Sequence, residues 1–225
     1  MPEPTRSRET LDSYDQIAPD YAASTRGTRT GAVAEALDRL LAHLPAGGSL
    51  LELGSGPGWD ADVLEARGLR VRRTDGSEAF RRVQRRRGRR CDLLDVTADA
   101  FTTAEWPAYD GVLALFVLQH VEREATRAVL ERAARALRPG GAVLVSMREG
   151  DPRTEPDGWQ VGSSGRRYHV TRWRQEDFED ALVAAGLAPT WHVRLADEEG
   201  DWLLVVAVAV DELTAAAGSR QSPDR

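Results

Sequence analysis

Apolar positions change period in a regular order along the chain. Val33, Leu37, Leu40, Leu41 and Leu44 recur at three- and four-residue steps, the spacing that gathers side chains on one face of a helix. Pro45-Ala46-Gly47-Gly48 stops that helix. Residues 50–53 form a short, wholly apolar-flanked run read as a buried strand, and a glycine turn then leads into a helix over 60–67. A second strand is expected over 69–74, then a helix capped by Ser77 and running through Arg87, then a third strand over 90–93. The strongest strand is 110–117, where Val112, Leu113, Leu115, Phe116 and Val117 are nearly continuous, as in a parallel strand buried on both faces. A helix over 122–137 closes at Arg138-Pro139-Gly140-Gly141 and precedes a strand over 142–147. A helix over 175–185 stops at Gly186. Strands over 187–195 and 202–210 flank the acidic turn 196–201, short enough for a hairpin.

This alternation predicts an α/β fold: a seven-stranded, mostly parallel sheet with one antiparallel strand and helices on both faces. A length of 225 residues suits one domain of this kind, assigned to 1–213, and 41% hydrophobic content supports a sizeable core. Residues 1–9 and the tail 214–225 are read as lacking fixed structure.

Composition adds exclusions. No apolar run approaches the roughly 20 residues of a membrane span, and residues 1–10 hold no apolar secretory segment. A single cysteine, Cys91, leaves no disulfide framework. Cytoplasmic location and no membrane association are the resulting expectations. The net charge of −6 argues against wrapping a nucleic acid. The local exception is the arginine run at 81–90, a solvated helix face or a surface for phosphates or an acidic peptide partner.

The candidate chemistry begins at Glu52-Leu53-Gly54-Ser55-Gly56-Pro57-Gly58-Trp59. Strand, glycine turn and helix follow one another here, which is where open α/β sheets bind nucleotide-like cofactors. A dinucleotide fingerprint needs a third glycine at 59, where Trp59 stands. A ligand with an adenosine end and an amino-acid end has the better claim on this turn than a diphosphate.

In order along the chain, residues 52–58, Asp75-Gly76-Ser77, Asp92-Leu93, the segment 115–121 and Leu137-Arg138-Pro139-Gly140-Gly141 resemble the signatures of class I S-adenosylmethionine-dependent methyltransferases. The similarity is greatest to small bacterial enzymes that methylate metabolites, and it spans roughly residues 14–210. It implies a Rossmann-like methyltransferase fold and S-adenosylmethionine as cofactor, with S-adenosylhomocysteine as product and no metal. Asp75, about twenty residues past the turn, would accept from the ribose hydroxyls. Asp92 would take the adenine amino group beside Leu93, with Asp95 a competitor. Glu52 would orient the turn, with Gly54, Ser55, Gly56, Gly58, Gly76, Ser77, Leu115 and Gln119 completing the cofactor site. Residues 10–45 would form a helical lid, Tyr14 and Tyr21 packing on the methionine end and Arg26 or Arg29 meeting its carboxylate.

The activated methyl needs an acceptor held in line and water kept out. His120, in Gln119-His120-Val121 after the fourth strand, is the first candidate base, and His169 the second. The insertion 149–174 faces the acceptor, with Phe116, Arg148, Trp159, Tyr168 and Trp173 as substrate candidates; Trp159 and Trp173 have the alternative role of sealing the core edge. No His/Cys/carboxylate cluster has metal-ligand spacing. The expected function is methyl transfer to O or N of a small molecule, in specialised metabolism by resemblance. A peptide or protein carboxylate as acceptor, or a non-catalytic cofactor-binding role, are the alternatives.

Overall fold

Leu50 and Leu51 point to opposite faces of one strand and belong to two separate core clusters. That strand, β1 (Ser49–Glu52), is buried along its whole length, which is why its sequence reads as continuously apolar rather than alternating. The chain is described here from a computed structural model, over residues 6–27, 30–162, 164–197 and 200–210. Helices α1 (Arg6–Ser24) and α2 (Gly31–Leu41) precede β1. Then follow α3 (Trp59–Ala66), β2 (Arg70–Asp75), α4 (Glu78–Arg86), β3 (Asp92–Leu93) and β4 (Tyr109–Ala114). A 3-10 turn at Leu118–His120 leads to α5 (Arg123–Ala136) and β5 (Leu137–Glu149). The chain ends with β6 (Gly158–Val161), β7 (Arg167–Val170), β8 (Arg172–Trp173), α6 (Gln175–Ala184), β9 (Leu187–Asp197) and β10 (Gly200–Ala209).

Seven strands lie in the order β3-β2-β1-β4-β5-β10-β9. The pairs from β3 to β5 are parallel, while β10 runs antiparallel to both neighbours. The expected sheet is therefore present, with one addition: two-residue β8 pairs with the end of β5. One face carries Leu51, Val112, Val143 and Val205 against Val129, Leu130 and Ala133 of α5 and Phe178 of α6. The other carries Leu50, Leu113, Leu144 and Leu204 against Ala36, Leu37 and Leu40 of α2 and Leu64 of α3. From β1 the chain moves outward to β2 and β3, then crosses back to β4 on the other side of β1. That reversal opens a crevice at the carboxyl ends of β1 and β4, where the glycine turn and the 3-10 turn both begin.

Two expectations change. Helix α1 starts at Arg6, so residues 6–9 are structured: Ser7 and Thr10 are tied to β7 and the 3-10 turn by hydrogen bonds. The insertion over 149–174 is built around a separate two-stranded sheet, β6 against β7. The tail 214–225 lies outside the described residues.

Candidate active site

The glycine turn leaves β1 with positive φ at Gly54 (62°), Gly56 (53°) and Gly58 (84°), a region that side chains rarely adopt. A Cβ on Gly54 would lie 2.4 Å from Val117 Cγ2, whereas one on Gly56 would meet nothing within 4 Å. The turn is thus pressed against β4's exit on one side and open at Gly56 on the other. From behind, Gln84 donates to Ser55 Oγ and the Gly56 carbonyl, and Arg73 to the Gly58 carbonyl. Arg73 is buried and held by Asp62 and Glu65 at 2.7 and 2.8 Å.

Two buried carboxylates face this turn. Asp75, the last residue of β2, accepts from the Gly56 and Ser77 amides, both at 2.7 Å. Burial raises its pKa to about 6 although those amides oppose the shift. Glu52, the last residue of β1, is raised to about 8 by burial and by the nearby Asp60 charge. Its Oε2 is buried without a partner, and so is Oε1 of Gln119 across the crevice, whose Nε2 donates to the Phe116 carbonyl. Two orphaned acceptors and an open glycine fit a ligand rich in donors and positive charge, as the cofactor implied by the sequence is. Gly76 packs beneath Leu11 of α1, and Ser77 caps α4 by accepting from the Phe80 amide. Leu115 joins the apolar layer with Leu113 and Leu144.

At the β3 end, the Asp92 carboxylate is bridged between Arg72 (3.2 Å) and Arg90 (2.9 Å). Asp95 turns back on Thr97. Neither carboxylate stands apart from the protein, and the exposed feature is Leu93, 61% accessible. The arginine run is also engaged internally. Arg81, Arg82 and Arg85 meet Glu78; Arg87 and Arg89 meet Asp62; Arg90 meets Asp92 and Glu105. Cys91 is buried beside β3, and burial pushes its thiol pKa far above the ordinary range.

Helix α1 packs on α4, β7 and the 3-10 turn beside the crevice, whereas α2, which the expected lid over 10–45 also included, buries Ala36, Leu37 and Leu40 in the core. Tyr14 packs against Tyr21, Phe80 and Tyr168, with ring centroids 6.0, 5.9 and 4.8 Å apart. Asp15 accepts from Ser77 Oγ and from the Ala79 amide, pinning the lid to the start of α4. Arg26 is exposed beyond α1, and Arg29 lies outside the described residues.

The lid also reaches the candidate base. The Tyr14 hydroxyl lies 2.9 Å from His120 Nε2, and His120 Nδ1 lies 2.8 Å from the His169 carbonyl. A carbonyl can only accept, so Nδ1 carries the hydrogen and Nε2 accepts from the Tyr14 hydroxyl. Burial pushes the His120 pKa down to about 4, with His169 and Arg148 adding to the shift. Nearby Phe116 holds φ 58°, the only positive φ of a non-glycine residue among the described residues. Its amide donates to Ser146 Oγ and its ring meets Trp202 edge-on at 4.9 Å. Arg148 lies over the other side of Trp202 at 4.3 Å, with Asp197 at 3.5 Å. Backbone strain of this type in a bulky residue is characteristic of functional clefts.

Three expected site residues sit elsewhere. Trp173 is 0% accessible, packed on Phe178 with Arg123 over its ring, so it belongs to the core. In the β6–β7 hairpin, Trp159 pairs with His169 and Gln160 with Tyr168. Strand alternation puts each pair on its own face. Tyr168 faces Tyr14, so the side chains of His169 and Trp159 face away from the crevice. His169 serves His120 through its backbone carbonyl alone. Conversely, sequence reading passed over Asp15, Gln84 and Trp202. Gln84 carried a signal: it is the uncharged residue four past Phe80 within a run of arginines, on the helix face that is buried.

Comparison with known proteins identifies the family and the fold. The methyltransferase-domain family profile matches residues 25–192, well over half of the chain. No curated protein sequence matches significantly. Among solved structures, the fold resembles the Burkholderia thailandensis 1,6-didemethyltoxoflavin N1-methyltransferase with 1,6-didemethyltoxoflavin and S-adenosylhomocysteine bound (TM-score 0.66, 22% identity, 94% of this chain and 93% of that one). It also resembles DhpI in complex with S-adenosylhomocysteine (TM-score 0.69, 23% identity, 92% and 98%). A third similar structure is the [4+2]-cyclase SpnF (TM-score 0.64, 17% identity, 92% and 97%). The chain belongs to the methyltransferase-domain family, within the class I S-adenosylmethionine-dependent methyltransferases. Among the described residues, no helix is long and apolar enough to cross a membrane.

Proposed function

We propose that this protein transfers a methyl group from S-adenosylmethionine to an oxygen or nitrogen of a small molecule, with His120 as the proton acceptor. The observation that carries this reading is the Tyr14–His120–His169 chain of hydrogen bonds at the mouth of the crevice. Glu52, Gly56, Asp75 and Gln119 are the residues that would hold the cofactor. When bound, the cofactor supplies an activated methyl on a sulfonium.

The remaining work falls to the protein. Helix α1 covers the crevice and excludes water, which brings the reactants together at high effective concentration. An imidazole with pKa about 4 is neutral at neutral pH and a weak base. That strength suits an acceptor whose own proton becomes strongly acidic as the new bond forms. The proton reaches Nε2 by way of the Tyr14 hydroxyl, which passes on its hydrogen as it receives that of the acceptor. Phe116, Tyr168, Trp202 and Arg148 line the acceptor side, a set suited to a planar, polar molecule. The aromatic enclosure supports a small molecule over a protein substrate, as does the internal pairing of the arginine run.

SpnF, similar in fold alone, is a cyclase, so product chemistry is the deciding test. The experiment is to incubate the protein with S-adenosylmethionine and a panel of phenols, heteroaromatic N–H compounds and carboxylic acids. Appearance of S-adenosylhomocysteine with one of them, lost or greatly reduced in His120→Gln, is the expected result. Turnover unaffected by His120→Gln would overturn the base assignment.

A further inference from the structure

The face of the β6–β7 hairpin turned away from Tyr14 borders a half-open hollow of about 150 Å³ beside the starts of α1 and α5. Its floor is made by His169 and Thr171, 2% and 0% accessible. His169 Nδ1 and Thr171 Oγ1 are both buried without a hydrogen-bond partner among protein atoms. Buried polar groups are nearly always paired, so two orphans lining one hollow point to polar contents.

The rim narrows the choice. Arg6 stands 3.8 Å from Glu122, and Arg123 stands 3.4 Å from Asp157, with exposed Glu124 alongside. Arg123 is held over the Trp173 ring and donates to the Arg172 carbonyl, and Asp157 accepts from the Arg172 amide at 2.7 Å. The Arg6–Glu122 separation exceeds a good charged hydrogen bond, so Arg6, Glu122 and Glu124 can turn toward a guest. An anion alone would meet the carboxylates, and a cation alone would meet the guanidiniums. No group of three His, Cys, Asp or Glu among the described residues could hold a metal ion. A hollow of this volume has room for a small polar molecule. Burial, and the Arg6 charge, hold the His169 pKa below its ordinary value, so its imidazole is neutral and able to donate or accept.

We propose that this hollow binds a small zwitterion of the α-amino-acid type, its carboxylate toward Arg6 and its ammonium toward Glu122 and Glu124, with Thr171 and His169 completing the contacts. The site is coupled to the crevice through backbone. The His169 amide donates to Thr10 of the lid at 3.1 Å, and the Thr171 amide donates to the Gln119 carbonyl at 2.7 Å. A ligand fixing these two side chains therefore steadies the lid and the turn carrying His120, which makes the hollow an effector site.

The test is nuclear magnetic resonance of the histidine rings in the full chain, titrated with glycine and L-serine, and with ammonium acetate and inorganic phosphate as separated charges. Saturable movement of the His169 signals by glycine or serine is expected, with about tenfold weaker binding in Thr171→Val, the loss of one hydrogen bond to a charged group. Glu124→Gln, an exposed change, should weaken it as well. Calorimetric affinity for S-adenosylmethionine should stay the same in both variants, which separates this site from the cofactor crevice. The proposal fails if neither amino acid gives saturation, if ammonium acetate or phosphate acts equally well, or if both variants saturate like the parent.

Discussion

The hydroxyl of Tyr14, in the first helix, lies 2.9 Å from Nε2 of His120, more than a hundred residues later in the chain. The first helix and the candidate base are therefore held in one hydrogen-bonded unit. His120 should act only when neutral, so activity should fall as pH drops through about 4 and not near 6.5. Burial sets that low value, and a phenyl ring in place of Tyr14 keeps the imidazole covered. In Tyr14→Phe the acid limb should therefore stay near 4 while kcat falls, because the hydroxyl that hands the proton to Nε2 is gone; kcat and kcat/KM against pH measure both. An unchanged kcat in Tyr14→Phe would take the tyrosine out of the proton path.

Glu52 gives a second pH signature. With its pKa at about 8 rather than 4.5, the folded protein holds a proton there that the unfolded chain has released. Its contribution to stability is full below 4.5 and is lost as pH rises through about 8. Bound positive charge should reverse this and expel the proton. Titrating S-adenosylmethionine near pH 7 in buffers of different ionisation enthalpy should show proton release that Glu52→Gln abolishes. Heats that do not depend on the buffer would count against Glu52 as a cofactor contact.

The two glycines of the turn should respond differently to alanine. Gly54→Ala adds a clash with Val117 to a left-handed φ, for a loss of about 2–4 kcal/mol in denaturant titration. Gly56→Ala has the space and should lose only about 1–2 kcal/mol from its backbone conformation. It should nevertheless bind S-adenosylmethionine much more weakly, because the new methyl fills the open face of the turn. Equal stabilities for the two variants would contradict the packing described.

Phe116 stores strain that glycine would release. Phe116→Gly should be more stable than Phe116→Ala by about 1 kcal/mol, although glycine normally destabilises relative to alanine. Thermal unfolding of the pair decides the order, and the reverse order would mean that φ 58° is not held in solution.

The mostly parallel sheet, its antiparallel strand and the glycine turn were legible because they depend on local signals. Residues 50–58 carry a buried strand, a turn that needs glycine and a helix start within a few positions. Asp75 and Ser77 mark the end of the next strand by their polarity. The acceptor side was harder to read. Whether Tyr168 or His169 faces the crevice depends on the register of a hairpin within an insertion, and a shift of one residue exchanges them. Trp173 looked like a pocket aromatic because β8 is only two residues long and leaves no period to read. Asp15 was hidden for another reason: its partners, Ser77 and Ala79, are more than sixty residues away, and one sequence does not reveal that contact.

The central claim is that the Gly54–Gly58 turn, with Glu52 and Asp75, holds S-adenosylmethionine. Calorimetric titration of the full chain tests it most directly, using S-adenosylmethionine, S-adenosylhomocysteine and NAD on the parent and on Asp75→Ala and Gly56→Ala. Saturable one-to-one binding of the first two ligands, none of NAD, and strong weakening in both folded variants is the predicted outcome. A folded parent protein that binds neither S-adenosyl compound, or variants that bind them as the parent does, would contradict it.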